Sequence, residues 1–368
     1  MGRDSKLGCT IEPHQVEAYL RRRGFPDAHL LSLNPLGADT DSGLKSFGYG
    51  RPVLARFHSG GDDHAVVVRT MAPDPFGHDR RADRGDAMLL SFDTFNTIPR
   101  HIRAVDVGAF CADGEMLPMG RGEIFLITEY VEGALYADDL FRLEKCAAPT
   151  DGDRQRVVAL AEYLVALHAE KVEPQLYIRH LRDTLGSGEG IFGLSDAYAE
   201  HPEVADAARL EAIEKKAVGW RWKMRSHASR ACRTHGDFHP FNILFREGVD
   251  FSVLDCSRGA AGEAADDLTC LSINFLFFAL DDHGRFDGAL RELWDVFWTT
   301  YLTQSGDREV LRWVAPYFTW RALVLASPVW YPDLAPAVRE HLLRFAEQLL
   351  DGAAFRPDAI NEFFEGGA

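Results

Sequence analysis

Residues 234–257 carry the side chains best suited to chemistry: Thr-His-Gly-Asp-Phe-His-Pro-Phe-Asn-Ile-Leu-Phe-Arg-Glu-Gly-Val-Asp-Phe-Ser-Val-Leu-Asp-Cys-Ser. Asp237 and Asn242 share a polar turn with four residues between them. Ile243-Leu244-Phe245 reads as a short apolar strand. Arg246 to Asp250 is a turn containing Gly248, and Phe251 to Leu254 is the return strand, ending on Asp255. Such a hairpin folds Asp255 back beside Asp237 and Asn242. Two carboxylates and an amide converging on one point suit activation of a hydroxyl beside a hard, oxygen-liganded cation such as Mg²⁺. His235 and His239 with Asp237 could instead suggest a metal hydrolase. No second His/Asp cluster completes that site, and the Asn242–Asp255 pairing has no role in it.

His235-Gly236-Asp237-Phe238-His239-Pro240-Phe241-Asn242, with Asp255 downstream, resembles the catalytic segment of the aminoglycoside phosphotransferase and choline kinase group, distant relatives of the protein kinases. The resemblance implies an α+β, two-lobed, protein-kinase-like fold, with a small antiparallel N-lobe sheet and a mostly helical C-lobe. In kinases the Asp of D-x-x-x-x-N accepts the hydroxyl proton, while the Asn and a later Asp hold the metal ions. Carried over, Asp237 is the catalytic base, and Asn242 and Asp255 hold Mg²⁺. His235 supports the loop, and Asp267 at the head of a helix braces its backbone. The specific part of the likeness is confined to 234–267.

The elements that must present a nucleotide come earlier in the chain. Leu30–Leu36 and Pro52–Phe57 read as strands. Gly37, Gly43, Gly48 and Gly50 lie between them with Ser42, Lys45 and Ser46. Strand, glycine-rich turn, strand is how kinases cover ATP phosphates, so Gly43, Lys45, Ser46 and Gly48 are assigned to the nucleotide. Gly43-Leu44-Lys45-Ser46 fails the G-x-x-x-x-G-K-[ST] spacing and enters a strand, so it is no P-loop. His64–Met71 is a third strand. The family has a Lys there, paired with an acid on the next helix; here the strand-end cation is Arg69, a fork rather than a point charge. A helix through Asp83, Asp86, Leu89, Phe92 and Phe95 follows, with the three apolar residues expected in the core. Asp86 is the partner assigned to Arg69, with Asp83 on the same face as the alternative. Ile102–Phe110 and Ile124–Gly133 read as strands. The second runs into Glu129-Tyr130-Val131, which resembles the kinase hinge, where backbone groups of Glu129 and Val131 hold adenine. The lobes are expected to span 1–131 and 132–368.

In the second lobe, Arg154–Glu170 is an amphipathic helix. Residues 171–232 read as an insertion with a flexible Gly-rich turn at 186–190 and helix over 200–230. Helices are expected at 268–280, 288–303, 308–327 and 335–351, their aromatics, including Trp298, Tyr301, Tyr317 and Trp320, in the core.

Composition narrows the partners. The chain of 368 residues has a formal net charge of −16, which disfavours nucleic acid as a partner despite Arg21-Arg22-Arg23. Acids at 138–139 and 281–282 favour a cationic acceptor. Six cysteines lack any C-x-x-C pair, as in a reduced, cytoplasmic protein. The N-terminus lacks the apolar run of a signal peptide, and no stretch reads as a membrane span. The expected activity is transfer of the γ-phosphoryl of ATP or GTP to a hydroxyl of an aminoglycoside-like or other small molecule. The alternatives are a metabolite kinase acting on choline, a sugar or a nucleoside, and, because of the missing Lys, a nucleotide-binding pseudokinase. Nothing in the sequence sets the oligomeric state.

Overall fold

The protein is described from a computed structural model over residues 11–35, 52–73, 77–96, 102–111, 113, 115–120, 128–256, 258–281 and 283–364. It forms two compact units, Met1–Thr128 and Glu129–Ala368. Gly43, Lys45, Ser46 and Gly48, assigned to nucleotide phosphates, lie outside the described residues.

The first unit opens with α1 (Pro13–Arg22), which has Pro at its start, where the missing N–H costs nothing. Strands β1 (His29–Pro35), β2 (Val53–Ser59) and β3 (Asp62–Val68) follow as an antiparallel sheet in sequence order. Val16 and Leu20 of α1 pack with Ala28, Ala55 and Phe57 into a small core, and Phe25 meets Phe57 edge-on at 5.0 Å. The triple arginine is accounted for inside the unit: Arg21 pairs with Glu17, Arg22 with Glu115 and Arg23 with Asp106. After β3 come α2 (Arg81–Phe95), β4 (Gly108–Phe110) and β5 (Met116–Pro118).

Two expectations change here. Among the described residues, the strand expected over 102–110 forms at Gly108–Phe110, where it pairs with β5, and 102–107 are irregular. Leu89, Phe92 and Phe95 are half-buried rather than core.

In the second unit β6 (Ala134–Leu135) leads into α3 (Tyr136–Leu143), α4 (Asp151–Ala169), α5 (Pro174–Gly186), α6 (Ile191–Ala197) and α7 (Ala207–Met224). Then come β7 (Ile243–Phe245), β8 (Phe251–Val253), α8 (Ala264–Ala279), α9 (Gly288–Ser305), α10 (Ala315–Leu325) and α11 (Pro336–Leu350). Helix α8 is the centre: every residue from Ala264 to Leu276 is buried. Each fully buried Leu, Ile or Phe there, such as Leu271, Ile273 and Phe275, contributes about 1.5–3 kcal/mol. The aromatics of α9 and α10 are core as expected, Trp294 meeting Trp298 at 6.0 Å and Phe318 at 6.3 Å.

The flexible turn expected at 186–190 is instead pinned between α5 and α6. Trp320 Nε1 donates to Glu189 O at 2.6 Å. A Cβ on Gly193 would lie 2.1 Å from Gly188 O, so that glycine allows a close backbone approach. The helix expected at 308–327 is a 3₁₀ segment, Arg308–Arg312, followed by α10, which carries Pro316 in its first turn. Among the described residues no helix is long and apolar enough to cross a membrane.

Candidate active site

The 243–253 hairpin forms as its sequence predicts. Ile243 pairs with Val253 and Phe245 with Phe251, and β6 adds a third strand on the other side of β7. One step beyond the ladder, Leu254 N–H donates to Asn242 O at 2.8 Å, so the next residue, Asp255, emerges beside Asn242. Asp255 has φ of 53°, and among the described residues it is the non-glycine with positive φ. Asp tolerates the left-handed region better than most residues, and such strain persists where surrounding structure over-determines it. Its carboxylate is exposed and, among the described residues, accepts no hydrogen bond.

Asp237 is buried in the turn before β7. Asn242 Nδ2 donates to Asp237 O at 3.1 Å, closing the D-x-x-x-x-N turn on itself. That use of Nδ2 leaves the amide oxygen of Asn242 as the atom available to a ligand. Asn242 Oδ1 and the Asp255 carboxylate are hard oxygen donors on neighbouring backbone, a set that fits Mg²⁺.

The two oxygens of Asp237 have different surroundings. Oδ1 is paired with Arg258 Nη1, lies 3.2 Å from Arg321 Nη1 and 3.8 Å from Cys270 Sγ. Burial holds the Cys270 thiol well above its usual range, so it stays a weak S–H donor. Oδ2 has longer contacts: Asn242 Nδ2 at 3.5 Å and His239 Nε2 at 3.6 Å. His239 Nδ1 accepts from Phe241 N–H at 3.2 Å, so Nε2 carries the proton. Burial, with Arg321 and Arg258 nearby, holds the His239 ring below its usual pKa despite Asp237, and it is neutral at pH 7.

Two consecutive acids opening α8 fix this turn from below. Asp267, fully buried, accepts from His235 N and Gly236 N, both at 2.8 Å, and from His168 Nε2 at 3.1 Å. His168 Nδ1 then accepts from Tyr301 OH at 2.9 Å. Burial opposes charge on Asp267, but these donors hold its carboxyl below the usual value. Gly236 has φ of 81°, and Asp237 N–H turns back to His235 Nδ1 at 3.3 Å. The loop-bracing expected of Asp267 and the supporting position of His235 are both visible in these contacts. Burial pushes the neighbouring Asp266 carboxyl up, against the pull of Arg321, whose Nη2 lies 2.7 Å away.

Arg69 and Asp86 are both exposed, and no ion pair joins them. Asp83 caps its own helix, accepting from Arg80 N–H at 2.7 Å. Glu129 is exposed and Val131 half-buried on irregular backbone before β6, with Tyr130 between them 88% exposed. Of the acids that suggested a cationic acceptor, Asp138 is exposed, Asp282 lies outside the described residues, and the other two are engaged locally. Asp139 pairs with Arg142 and Arg156, and Asp281 with Arg285 and the N–H groups of His283 and Arg285.

Sequence reasoning missed Arg258 and Arg321 as site residues. Arg258 follows Asp255 by three positions in a segment read only as loop. Arg321 sits in an otherwise apolar helical run, Tyr-Phe-Thr-Trp-Arg-Ala-Leu-Val-Leu, where a charge persists only if paired.

A model of the family described as "Phosphotransferase enzyme family" matches residues 98–313. Among solved structures, a gentamicin complex of APH(2")-IIa is 13% identical, with 97% of this chain and 99% of that chain covered, at a TM-score of 0.31. Choline kinase LicA from Streptococcus pneumoniae is 12% identical, with 91% and 99% covered, at 0.36. Macrolide 2'-phosphotransferase MphH from Brachybacterium faecium is 16% identical, with 93% and 98% covered, at 0.29. No curated protein sequence matches.

Proposed function

With more than half of its length matched, the chain belongs to the phosphotransferase enzyme family, and we propose that it transfers the γ-phosphoryl of ATP or GTP to a hydroxyl of a small molecule. One observation carries this reading: the hairpin returns an unpartnered, strained carboxylate, Asp255, to the asparagine that closes the Asp237 turn.

In this mechanism Asp237 accepts a hydrogen bond from the acceptor hydroxyl through Oδ2 and takes its proton as the oxygen attacks the γ-phosphorus and the bond to the β-phosphate oxygen breaks, releasing the nucleoside diphosphate. Its Oδ1 is already held by arginines, so the oxygen offered to the acceptor is fixed before it arrives. Asn242 Oδ1 and the Asp255 carboxylate would hold Mg²⁺. That ion, when bound, neutralises charge on the phosphate oxygens. Arg69 and the 43–48 loop are assigned to the phosphates, and the backbone at Glu129 and Val131 to the base. Catalysis then consists mainly of positioning and charge stabilisation.

For the acceptor, Asp139 and Asp281 are engaged by their own arginines, which weakens the case for a polycation. A row of rings runs from the catalytic turn instead: His239–Phe241 at 5.9 Å, Phe241–Phe141 at 6.4 Å, Phe141–Phe278 at 4.8 Å, then Phe277 and Tyr331. Phe141 and Phe241 are partly exposed. This row supports an acceptor with an apolar face beside its hydroxyl, and it favours the metabolite-kinase reading over an aminoglycoside-like acceptor. A pseudokinase would have no need of all three polar residues at the turn.

The test is a panel of amphiphilic alcohols, polyols, choline and aminoglycosides assayed by mass for nucleotide- and Mg²⁺-dependent phosphorylation. Asp237→Asn is expected to keep nucleotide binding and to lower turnover by about 10²–10⁴-fold, the range for losing a general base. Unchanged turnover in that variant removes Asp237 as the base.

A further inference from the structure

Arg321 lies outside the residues matched by the family model, on a helix whose other residues are almost all buried and apolar. Its side chain is 7% exposed. A guanidinium at that depth persists only when its donors are paired. Nη1 lies 3.2 Å from Asp237 Oδ1. Nη2 lies 3.0 Å from Gly236 O and 2.7 Å from Asp266 Oδ1. The flat face rests on Trp320, 3.9 Å from the ring centroid, and Nε has no partner. The fork is therefore aimed at the catalytic turn.

A role confined to holding the fold would need only Asp266 and Gly236 O. The second arm reaches the carboxylate itself, on the same oxygen that Arg258 occupies from the other side of the sequence. Arg258 is the more exposed of the two and is shared with Glu189 at 3.1 Å. Arg321 is the rigid member, clamped by Asp266 and by stacking. Asp237 has two free torsions. With Oδ1 held by a fixed fork, only Oδ2 turns towards the polar side where His239 and Asn242 lie.

We propose that Arg321 is a positioning residue: it locks the rotation of the Asp237 carboxylate so that Oδ2 alone is presented to the acceptor hydroxyl. This rests on the phosphotransferase reading above. Lys cannot replace the function, because a single ammonium cannot span Gly236 O, Asp266 and Asp237 at once.

The experiment uses the full chain and two variants, Arg321→Lys and Arg321→Met. Turnover is read as Mg·ATP and Mg·GTP hydrolysis with water as acceptor, and nucleotide binding as the thermal shift caused by each. Arg321→Lys is expected to keep the nucleotide-induced shift and the nucleotide KM while kcat falls about 10–100-fold, the penalty of an ångström-scale misplacement. Wild-type kcat in this variant overturns the proposal. Crystal structures of the wild type and of Arg321→Met supply a readout independent of turnover, with Arg321→Lys in its place if the Met variant fails to fold. The Asp237 carboxylate is expected to rotate about its terminal torsion. A carboxylate in the wild-type orientation overturns the proposal whether or not the enzyme turns over. Absence of any wild-type turnover counts against the phosphotransferase reading, and the crystal comparison still decides the role of Arg321.

Discussion

Asp267→Asn tests the claim that one buried carboxylate sets the shape of the catalytic turn. The carboxylate accepts three hydrogen bonds. Two reach Oδ2, from His235 N and His168 Nε2, and one reaches Oδ1, from Gly236 N. An asparagine can keep its oxygen on one side only. If that oxygen faces His235 and His168, its NH₂ meets Gly236 N–H, donor against donor. A buried backbone N–H is then left without an acceptor, and the two surviving bonds lose the charge that strengthened them. Hydrogen bonds to charged groups contribute about 1.5–3 kcal/mol, and an orphaned donor costs about 1–3 kcal/mol, so a loss of about 2–4 kcal/mol is expected. For a unit of this size that lowers Tm by roughly 5–15 °C. The same change releases the backbone of His235 and Gly236, and Asp237 follows directly. Turnover is therefore expected to fall about 10²-fold even at temperatures where the variant stays folded. Thermal unfolding followed by near-UV circular dichroism, and nucleotide turnover at 20 °C, are the two assays. A variant with Tm within 1 °C of wild type and unaltered turnover would refute the bracing role, and with it the claim that α8 carries the loop.

Asp255→Asn keeps the size and removes the charge assigned to Mg²⁺; half-maximal turnover in a magnesium titration is expected to move up at least tenfold, with folding unchanged because the side chain has no partner among the described residues. Asp307 gives a pH test. Burial opposes its charge, but Arg230 holds its carboxyl below the usual range, so its stabilisation is present above about pH 4 and is lost as pH falls through the lowered native value. Asp307→Asn is accordingly expected to cost about 2 kcal/mol at pH 7 and much less near pH 3, read from urea midpoints at the two pH values. Gly193→Ala is expected to destabilise by about 1–3 kcal/mol, because the added methyl meets Gly188 O at 2.1 Å and the α5–α6 turn must open.

The chemistry was legible where it is local. Asp237 and Asn242 lead into the 243–253 hairpin and Asp255 follows it, and period, turn residues and spacing fix where the last returns. Asp267 was legible too, because an acid in the first turn of a helix has a dipole reason to be there. What escaped depended on long separations: Arg321 reaches Asp237 across 84 residues, and no local pattern announces that contact. The helices α5 and α6 were hidden by their own punctuation. Pro174 opens α5, and Gly190 opens α6 as its cap, so residues that read as loop are helix starts. In the first unit, β-propensity over 102–110 became a ladder among the described residues at Gly108–Phe110, where β5 lies alongside.

The same contrast explains how the site combines rigidity with an open ligand set. The acids of α8 are consumed by the protein: Asp266 by Arg321, Asp267 by two backbone amides and a histidine. The acid of the hairpin is left alone, strained and exposed. Consumed acids fix positions, because moving them orphans buried donors. An unconsumed, exposed acid is free to meet a cation, the role proposed above for Asp255. Asp237 is both at once, with Oδ1 spent on arginines and Oδ2 held back. On the function proposed above, that division within one carboxylate suits positioning catalysis: the reactive atom would be fixed by groups that do not compete for the substrate.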